Sequence, residues 1–527
     1  MTDAVITAPS AAEPRWRAIW RNVLPFLVVA VIWEAVARAS MFPARLFPSL
    51  EAITATLVRL TLNGILPHHA FETVLRLGAG FALAAIIGVV LGILMGRSRR
   101  AEDIILPLVS IGAPIPGLAY APLFLLWFGL GNLAAVLLVA FVSTFPVIFN
   151  TWTGVKAVKE IWVRSAQAMG ADDARLFRHV ILPGALPYIL TGLRLGLAQA
   201  WRILVGVEML AAVPWGLGWM IFGAREFLNM DVMLAGVAVI AAIGLALRET
   251  GVRAPRAVHR GALGDDRVSG SLRSTVRAAV TLVVAVALYE ALARSGWFAP
   301  ALMPTVPKIA GTLLVALTDG SMLAHAATTL YRVLAGLGLA VVIGLPLGIL
   351  MGRFRAVENF VLPLASALMP IPSLAWVPVF ILWFGLGNTV SILIVFYAAL
   401  FPMLLNTWTG VRAVNPLWLR AAGAMGANEQ ALFWKVIIPG ASPFIITALR
   451  QAFLRAWIAV IGAEMLAASD FGLGWVIFDA KEFLNTDLML ASLAVIGVIG
   501  FLFERLVFGS LERATVLRWG MVRSAKG

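Results

Sequence analysis

The sequence contains no cysteine. That excludes disulfides, thiolate metal sites and cysteine nucleophiles, and says nothing of compartment. Charge is scarce too. Only 13% of the 527 residues are Asp, Glu, Lys or Arg, roughly half the share of a soluble domain. Five histidines and thinly scattered carboxylates leave no evident metal site. No G-x-x-x-x-G-K-[ST] phosphate loop occurs, and none of the six lysines follows a glycine, so ATP is not expected to bind this chain. What remains is apolar: 61% hydrophobic residues and a mean hydropathy of +0.93. This composition is that of a polytopic membrane protein. The net charge of +14 then reads as Lys and Arg gathered on loops of one membrane face, with no nucleic-acid partner.

The chain repeats itself. Trp162–Pro187 (WVRSAQAMGADDARLFRHVILPGALP) returns as Trp418–Pro443 (WLRAAGAMGANEQALFWKVIIPGASP), with 15 of 26 positions identical at an offset of 256 residues. The same offset pairs Glu34 with Glu290, Arg76 with Arg332 and Gly92–Arg97 with Gly348–Arg353. It also pairs Pro114–Pro116 with Pro370–Pro372, Trp127–Asn132 with Trp383–Asn388, and Gly216–Trp219 with Gly472–Trp475. Two fused units are therefore expected: 23–249 and 275–510, joined by a polar linker at 250–274 and flanked by tails 1–22 and 511–527.

Apolar runs near 20 residues predict six membrane helices per unit, and backbone satisfaction in hydrocarbon requires helices. They fall near 23–40, 74–96, 104–128, 132–150, 183–211 and 231–249, and again near 276–296, 330–352, 360–384, 388–406, 439–467 and 487–507. The first run resembles a signal peptide, but its internal counterpart near 276 identifies it as a retained helix. The fold class is all-α, with two parallel six-helix repeats and about 12 spans. Arg15, Arg17 and Arg21, then Arg97, Arg99 and Arg100, then Lys156, Lys159 and Arg164, then the arginines of 248–273, mark alternate loops. These loops, and both termini, are expected in the cytoplasm.

The repeated stretch reads as a helix, a stop at Gly170, an N-cap at Asp172, and a second helix with Leu176, Phe177 and Val180 as an apolar stripe. Gly426, Asn428, Leu432, Phe433 and Val436 repeat the pattern. An exposed apolar stripe beside the bilayer fits a partner's groove or an interfacial helix lying on lipid. The residues alone leave both open.

The spacing Ala166-x-x-x-Gly170, nine residues, Val180-x-Leu182-Pro183, with its copy Ala422, Gly426, Val436, Ile438 and Pro439, resembles the EAA loop of ATP-binding-cassette (ABC) importer permeases. Pro-Ile-Pro, WFGLGN, Gly192–Arg194, Glu208–Leu210 and GLGW are similar to the nitrate/sulfonate/taurine/bicarbonate branch. The resemblance covers nearly all of both units. It implies a type I, binding-protein-dependent importer permease of the bacterial inner membrane, not itself an enzyme, importing a small anion. Two cytoplasmic ATPase subunits would carry ATP and Mg, and an outer substrate-binding protein would deliver the solute. Arg164, Ala166, Gly170, Ala171, Leu176, Phe177, Arg420, Ala422, Gly426, Ala427, Leu432 and Phe433 would form the ATPase contacts. One departure is plain: Arg164 and Arg420 stand where the family has Glu. The alternative from another class is a secondary transporter of two six-helix halves driven by an ion gradient, which has no need of the long loop.

Charges inside spans are costly and usually face a cavity or partner. The fifth span carries Trp201, Arg202 and Glu208, and its copy carries Arg455, Trp457 and Glu464. The glutamates are paired across the repeat, whereas Arg202 faces Ile458 and Arg455 faces Gln199. These six residues form the candidate substrate pathway, with two readings. The arginines favour an anion, or they balance Glu208 and Glu464. Prolines 114, 116, 370 and 372 are expected to break the third span, Asn150 and Asn406 to cap the fourth, and His69 and His325 to lie near the outer surface. Gly88, Gly92, Gly96, Gly344, Gly348 and Gly352 are spaced for close helix packing. The EFLN stretches at Glu226–Asn229 and Glu482–Asn485 read equally as partner contacts or helix caps.

Overall fold

A computed structural model describes residues 15–211, 213–250, 272–467 and 470–512. Most of the expected linker and both outer parts of the tails lie outside the described residues. Every regular element among them is helical.

The first unit runs α1 (Arg15–Arg38), α2 (Leu50–Leu62), α3 (Ile65–Arg97), α4 (Arg99–Gly112), α5 (Ala121–Phe128), α6 (Asn132–Lys156), α7 (Glu160–Ala168), α8 (Asp173–Leu176), α9 (Leu182–Leu210), α10 (Leu217–Ala224) and α11 (Met230–Thr250). The second repeats it as α12 (Leu272–Arg294), α13 (Val306–Thr318), α14 (Ser321–Arg353), α15 (Arg355–Leu368), α16 (Val377–Phe384), α17 (Asn388–Ala413), α18 (Pro416–Ala424), α19 (Glu429–Leu432), α20 (Ile438–Ala467), α21 (Leu473–Glu482) and α22 (Thr486–Leu502). Among the described residues nine helices are long and apolar enough to cross a membrane, or eleven if each bent pair is one span. Some side chains of α12, the counterpart of α1, lie outside the described set.

The third span is broken, as its prolines require. α4 and the Gly117–Phe128 segment meet at 94°, and α15 and Ser373–Phe384 at 90°. Each Pro-Ile-Pro ends one helix and starts a short 3-10 turn, Gly117–Tyr120 or Ser373–Trp376. A proline inside a helix interior loses one hydrogen bond and clashes with the preceding turn, so two prolines in three residues turn the chain.

The core of each unit is α3 against α6 and α6 against α9, repeated by α14, α17 and α20. Small residues permit the close approach. A Cβ on Gly92 would sit 2.5 Å from Thr151 Cβ, and one on Gly348 2.7 Å from the Leu404 carbonyl oxygen. Asn150 and Asn406 are a correction to their reading as caps. Each lies inside its helix, and its Nδ2 donates to the carbonyl of Pro146 (2.8 Å) or Pro402 (2.9 Å).

The units exchange arms. α1 packs on α15 and α12 on α4. The Trp383 indole donates to the Leu46 carbonyl (2.8 Å) and the Trp127 indole to the Leu302 carbonyl (3.1 Å). Within each arm, Glu34 accepts from the Leu50 amide (2.8 Å) and Glu290 from the Val306 amide (2.7 Å). Each glutamate thereby satisfies an otherwise orphaned donor at a helix start.

Candidate functional site

Two repeated loops lie at one end of the bundle. The α7 helix closes in a Schellman turn. The Ala171 amide donates to the Ala166 carbonyl (3.0 Å) and Gly170 takes φ +79°, a left-handed conformation open to glycine without steric cost. Asp172 then accepts from the Arg175 amide at 2.7 Å. Ala427 to Ala422 (3.0 Å), Gly426 at φ +82° and Asn428 with the Ala431 amide (2.8 Å) repeat it.

The second loop helix does not end at the membrane span. A π-helical turn at Phe177–Ile181 joins α8 to α9, and Phe433–Ile437 joins α19 to α20. The result is one apolar helical run of 38 residues, Asp173–Leu210, and another of 39, Glu429–Ala467. In an α-helix the Pro183 ring would meet the His179 carbonyl, and that of Pro439 the Lys435 carbonyl; the wider π turn relieves this. Loop and span are thus mechanically continuous, which the sequence pattern had not indicated.

The expected exposed stripe is corrected. Leu176 is buried, and Phe177, Leu432 and Phe433 are half-buried. They face inward because the last residue of α3 or α14 covers them. The Arg97 guanidinium lies 5.1 Å from the Phe177 ring centroid, and that of Arg353 5.9 Å from Phe433. Arg353 also pairs with Glu429 at 2.7 Å. Ala166 and Ala422 are buried as well, and Ala171 and Ala427 half-buried. The outward apolar groups are instead Trp162 and Met169, repeated by Trp418 and Met425; the two methionines are 81% and 82% exposed. Arg164 is exposed and paired with Glu160 (2.6 Å). Exposed Arg420 has no such partner among the described residues, since Pro416 replaces the glutamate.

A cavity of about 650 Å³ lies between the units. Its walls are α9 and α11 of the first unit, and α17, α20 and the turn around Pro370 of the second. Trp201 and Arg202 line it from α9, and Arg455 from α20. Trp201 donates to the Pro370 carbonyl (3.2 Å), and Arg202 to Gln199 Oε1 (2.9 Å). Neither Arg202 nor Arg455 meets a carboxylate among the described residues, and both line the same cavity. Arg194 and Arg248 also line the cavity, and among the described residues no Asp or Glu does. Leu118 and Leu374, carried by the two 3-10 turns, line it as well and abut both Gly206 and Gly462.

Glu208, Glu464 and Trp457 do not line this cavity. The reading in which Arg202 and Arg455 balance the glutamates is therefore corrected. Fully buried Glu208 pairs with Arg76 (2.7 Å), accepts from Thr73 (3.0 Å) and takes the Gly218 amide (2.9 Å). Glu464 does the same with Arg332 (2.7 Å), Thr329 (2.9 Å) and Gly474 (2.9 Å). A buried carboxylate must find a cation and donors, and both come from another helix and from the GLGW loop. His69 is buried and accepts from the Gly216 amide (2.9 Å); half-buried His325 does so from Gly472 (3.1 Å). Sequence reasoning missed Arg76 and Arg332 as partners. Their position inside apolar runs, in both copies, was the available signal. Trp457 is buried and stacked near Phe453 (6.3 Å).

The family described as binding-protein-dependent transport system inner membrane component matches twice, at residues 88–248 and 344–513. The chain is 37% identical over 248 residues to a taurine transport system permease protein of Escherichia coli (strain K12), covering 46% of this chain and 90% of that protein. It is 35% identical over 243 residues to a putative aliphatic sulfonates transport permease protein of Bacillus subtilis (strain 168), covering 46% and 87%. The corresponding protein of Escherichia coli (strain K12) is 34% identical over 221 residues, covering 42% and 83%. Each alignment spans the length of one unit.

Proposed function

This chain belongs to the family of binding-protein-dependent transport system inner membrane components, and from that premise we propose that it is the complete translocation pathway of an ATP-driven importer for a small organic anion of the sulfonate type. As a multi-pass inner-membrane ABC permease of two fused units, it needs no second permease chain. The observation that carries the anion reading is Arg202 with Arg455, two guanidiniums without carboxylate partners among the described residues, lining one intramembrane cavity. Unpaired cations within a membrane are costly, and a visiting anion offsets that cost. The names of the taurine and sulfonate relatives agree with it.

Energy would enter through the repeated loops. Trp162 and Met169, with Trp418 and Met425, are the apolar groups offered to two ATPase subunits, one per unit. Those subunits would carry ATP and Mg, with no cofactor on this chain. Because each loop is continuous with α9 or α20, and because α9 and α20 line the cavity, movement of a docked ATPase would reach the arginines through one helix. A ligand-biased two-state element of this kind needs no other link. The loops and both termini would be cytoplasmic, and a binding protein would deliver solute to the opposite face. The ion-gradient alternative gains no support from the family.

The test is reconstitution. The chain, co-expressed with its ATPase, should retain it through purification and take up a radiolabelled alkanesulfonate from binding protein only with ATP. Uptake by the chain alone on an ion gradient would overturn the reading.

A further inference from the structure

The two units are alike in sequence but unlike around the cavity. Leu197 and Leu247 line it from the first unit. At the equivalent positions of the second unit stand Phe453 and Phe503, stacked at 4.6 Å and 18°, with Phe508 5.3 Å from Phe453. Arg248 lines the cavity; its equivalent is Glu504, which pairs with Arg450. Where the first unit places Arg248 on the cavity wall, the second places a carboxylate, Glu504, in a neutralised pair with Arg450. The residues equivalent to Leu197, Leu247 and Arg248 are thus packed rings and the carboxylate of an ion pair.

We propose that the anion binds and passes on one side of the pseudo-twofold axis only, in the cavity between α9 and α11 of the first unit and α17 and α20 of the second. The mirror position is a closed structural wall. This rests on the anion reading above and adds sidedness to it. Fusion makes such a division possible, since a homodimer would carry the same residues on both sides. Arg202 and Arg455 hold the anionic group from opposite units. Arg248 extends the positive field along the first unit only, and a one-signed cleft with low-dielectric walls concentrates ions of the other sign.

The chain's lack of cysteine makes the test direct. Asn406 lines the cavity, while Asn150, its repeat mate, does not. Both are half-buried and make the same helix-internal bond. Asn406→Cys and Asn150→Cys, each in the full-length chain in membranes, are treated with 2-sulfonatoethyl methanethiosulfonate and with its trimethylammonioethyl counterpart. The expected result is that the anionic reagent modifies Asn406→Cys about tenfold or more faster than Asn150→Cys, and about tenfold or more faster than the cationic reagent modifies Asn406→Cys. Arg248→Glu should remove most of that preference, and Glu504→Gln should leave it within about twofold. Equal rates at the two cysteines, or no preference for the anionic reagent in a chain that elutes as the unmodified protein does, overturns the proposal. Labelling needs neither ATP nor a partner. Failure of ATP-driven uptake would therefore count against the transport reading alone.

Discussion

Arg76 and Glu208 lie 2.7 Å apart at 2% and 0% exposure, joining α3 to the far end of α9. Arg332 and Glu464 repeat the distance in the second unit. The carboxylates also take the Gly218 and Gly474 amides, so each pair fastens the GLGW loop to two long helices. Removing one partner leaves a buried charge alone. Arg76→Met, or Glu208→Leu, should lower stability by about 3–5 kcal/mol, read as a fall in melting temperature in detergent. The double variant Arg76→Met/Glu208→Leu should recover most of that loss, because no unpaired charge remains. A double variant as unstable as the two singles combined would contradict this account.

Arg202 and Arg455 should behave in the opposite way. They are not fastened to Glu208 or Glu464, so Arg202→Ala and Arg455→Ala should not lower stability by more than about 1 kcal/mol, the scale of one ordinary hydrogen bond. Uptake should suffer instead. Each variant should raise the substrate concentration needed for half-maximal ATP-driven uptake, and the double variant more so. Unchanged transport rate and concentration dependence in both single variants would remove these residues from the pathway.

Gly170 and Gly426 hold φ near +80°, which a proline ring, fixed near −65°, does not reach. Gly170→Pro and Gly426→Pro should abolish ATP-driven uptake while the chain still accumulates in the membrane. The milder Gly170→Ala should cost about 1–2 kcal/mol at the turn. The measurement is co-purification of the ATPase beside uptake. Normal uptake in both proline variants would sink the assignment of the loops as the coupling elements.

The sequence carries the local and repeating features well. Six apolar runs per unit, the Pro-Ile-Pro breaks and the Gly170–Asp172 turn all depend on residues within a few positions of each other. Pairings across 132 residues, such as Arg76 with Glu208, do not. Periodicity places both in spans without saying which faces meet, so Arg202, the neighbour in sequence, looked like the partner. The Leu176–Phe177 stripe misled for a related reason. Its spacing marks a buried face as readily as an exposed one, and the covering Arg97 arrives from another helix. The one-sided cavity was legible only as substitutions between the copies, Leu197 to Phe453 and Arg248 to Glu504. Their shared location emerges from the packing of α9 and α11, and of α20 with the segment that follows α22.

The same packing brings two leucines together at the cavity wall. A Cβ placed on Gly206 would lie 2.6 Å from Leu374 Cδ1 and 3.5 Å from Leu118 Cδ1; one on Gly462 would lie 2.8 Å from Leu118 Cδ2 and 2.9 Å from Leu374 Cδ2. Both leucines therefore seat on the same two glycines, from turns that the prolines set. If this apolar contact closes the path, it blocks hydrated ions by excluding water. Leu118→Ala/Leu374→Ala should give proteoliposomes an ATP-independent anion leak that the unmodified chain lacks. Truncation of a buried leucine costs about 2–5 kcal/mol, so the opposite experiment is the safer reading. In Leu118→Cys/Leu374→Cys, a short thiol-bridging reagent should stop ATP-driven uptake, and a reductant that cleaves the bridge should restore it. A bridged chain that transports at the unmodified rate would show that the leucines do not separate during transport, and the seal would have to lie elsewhere.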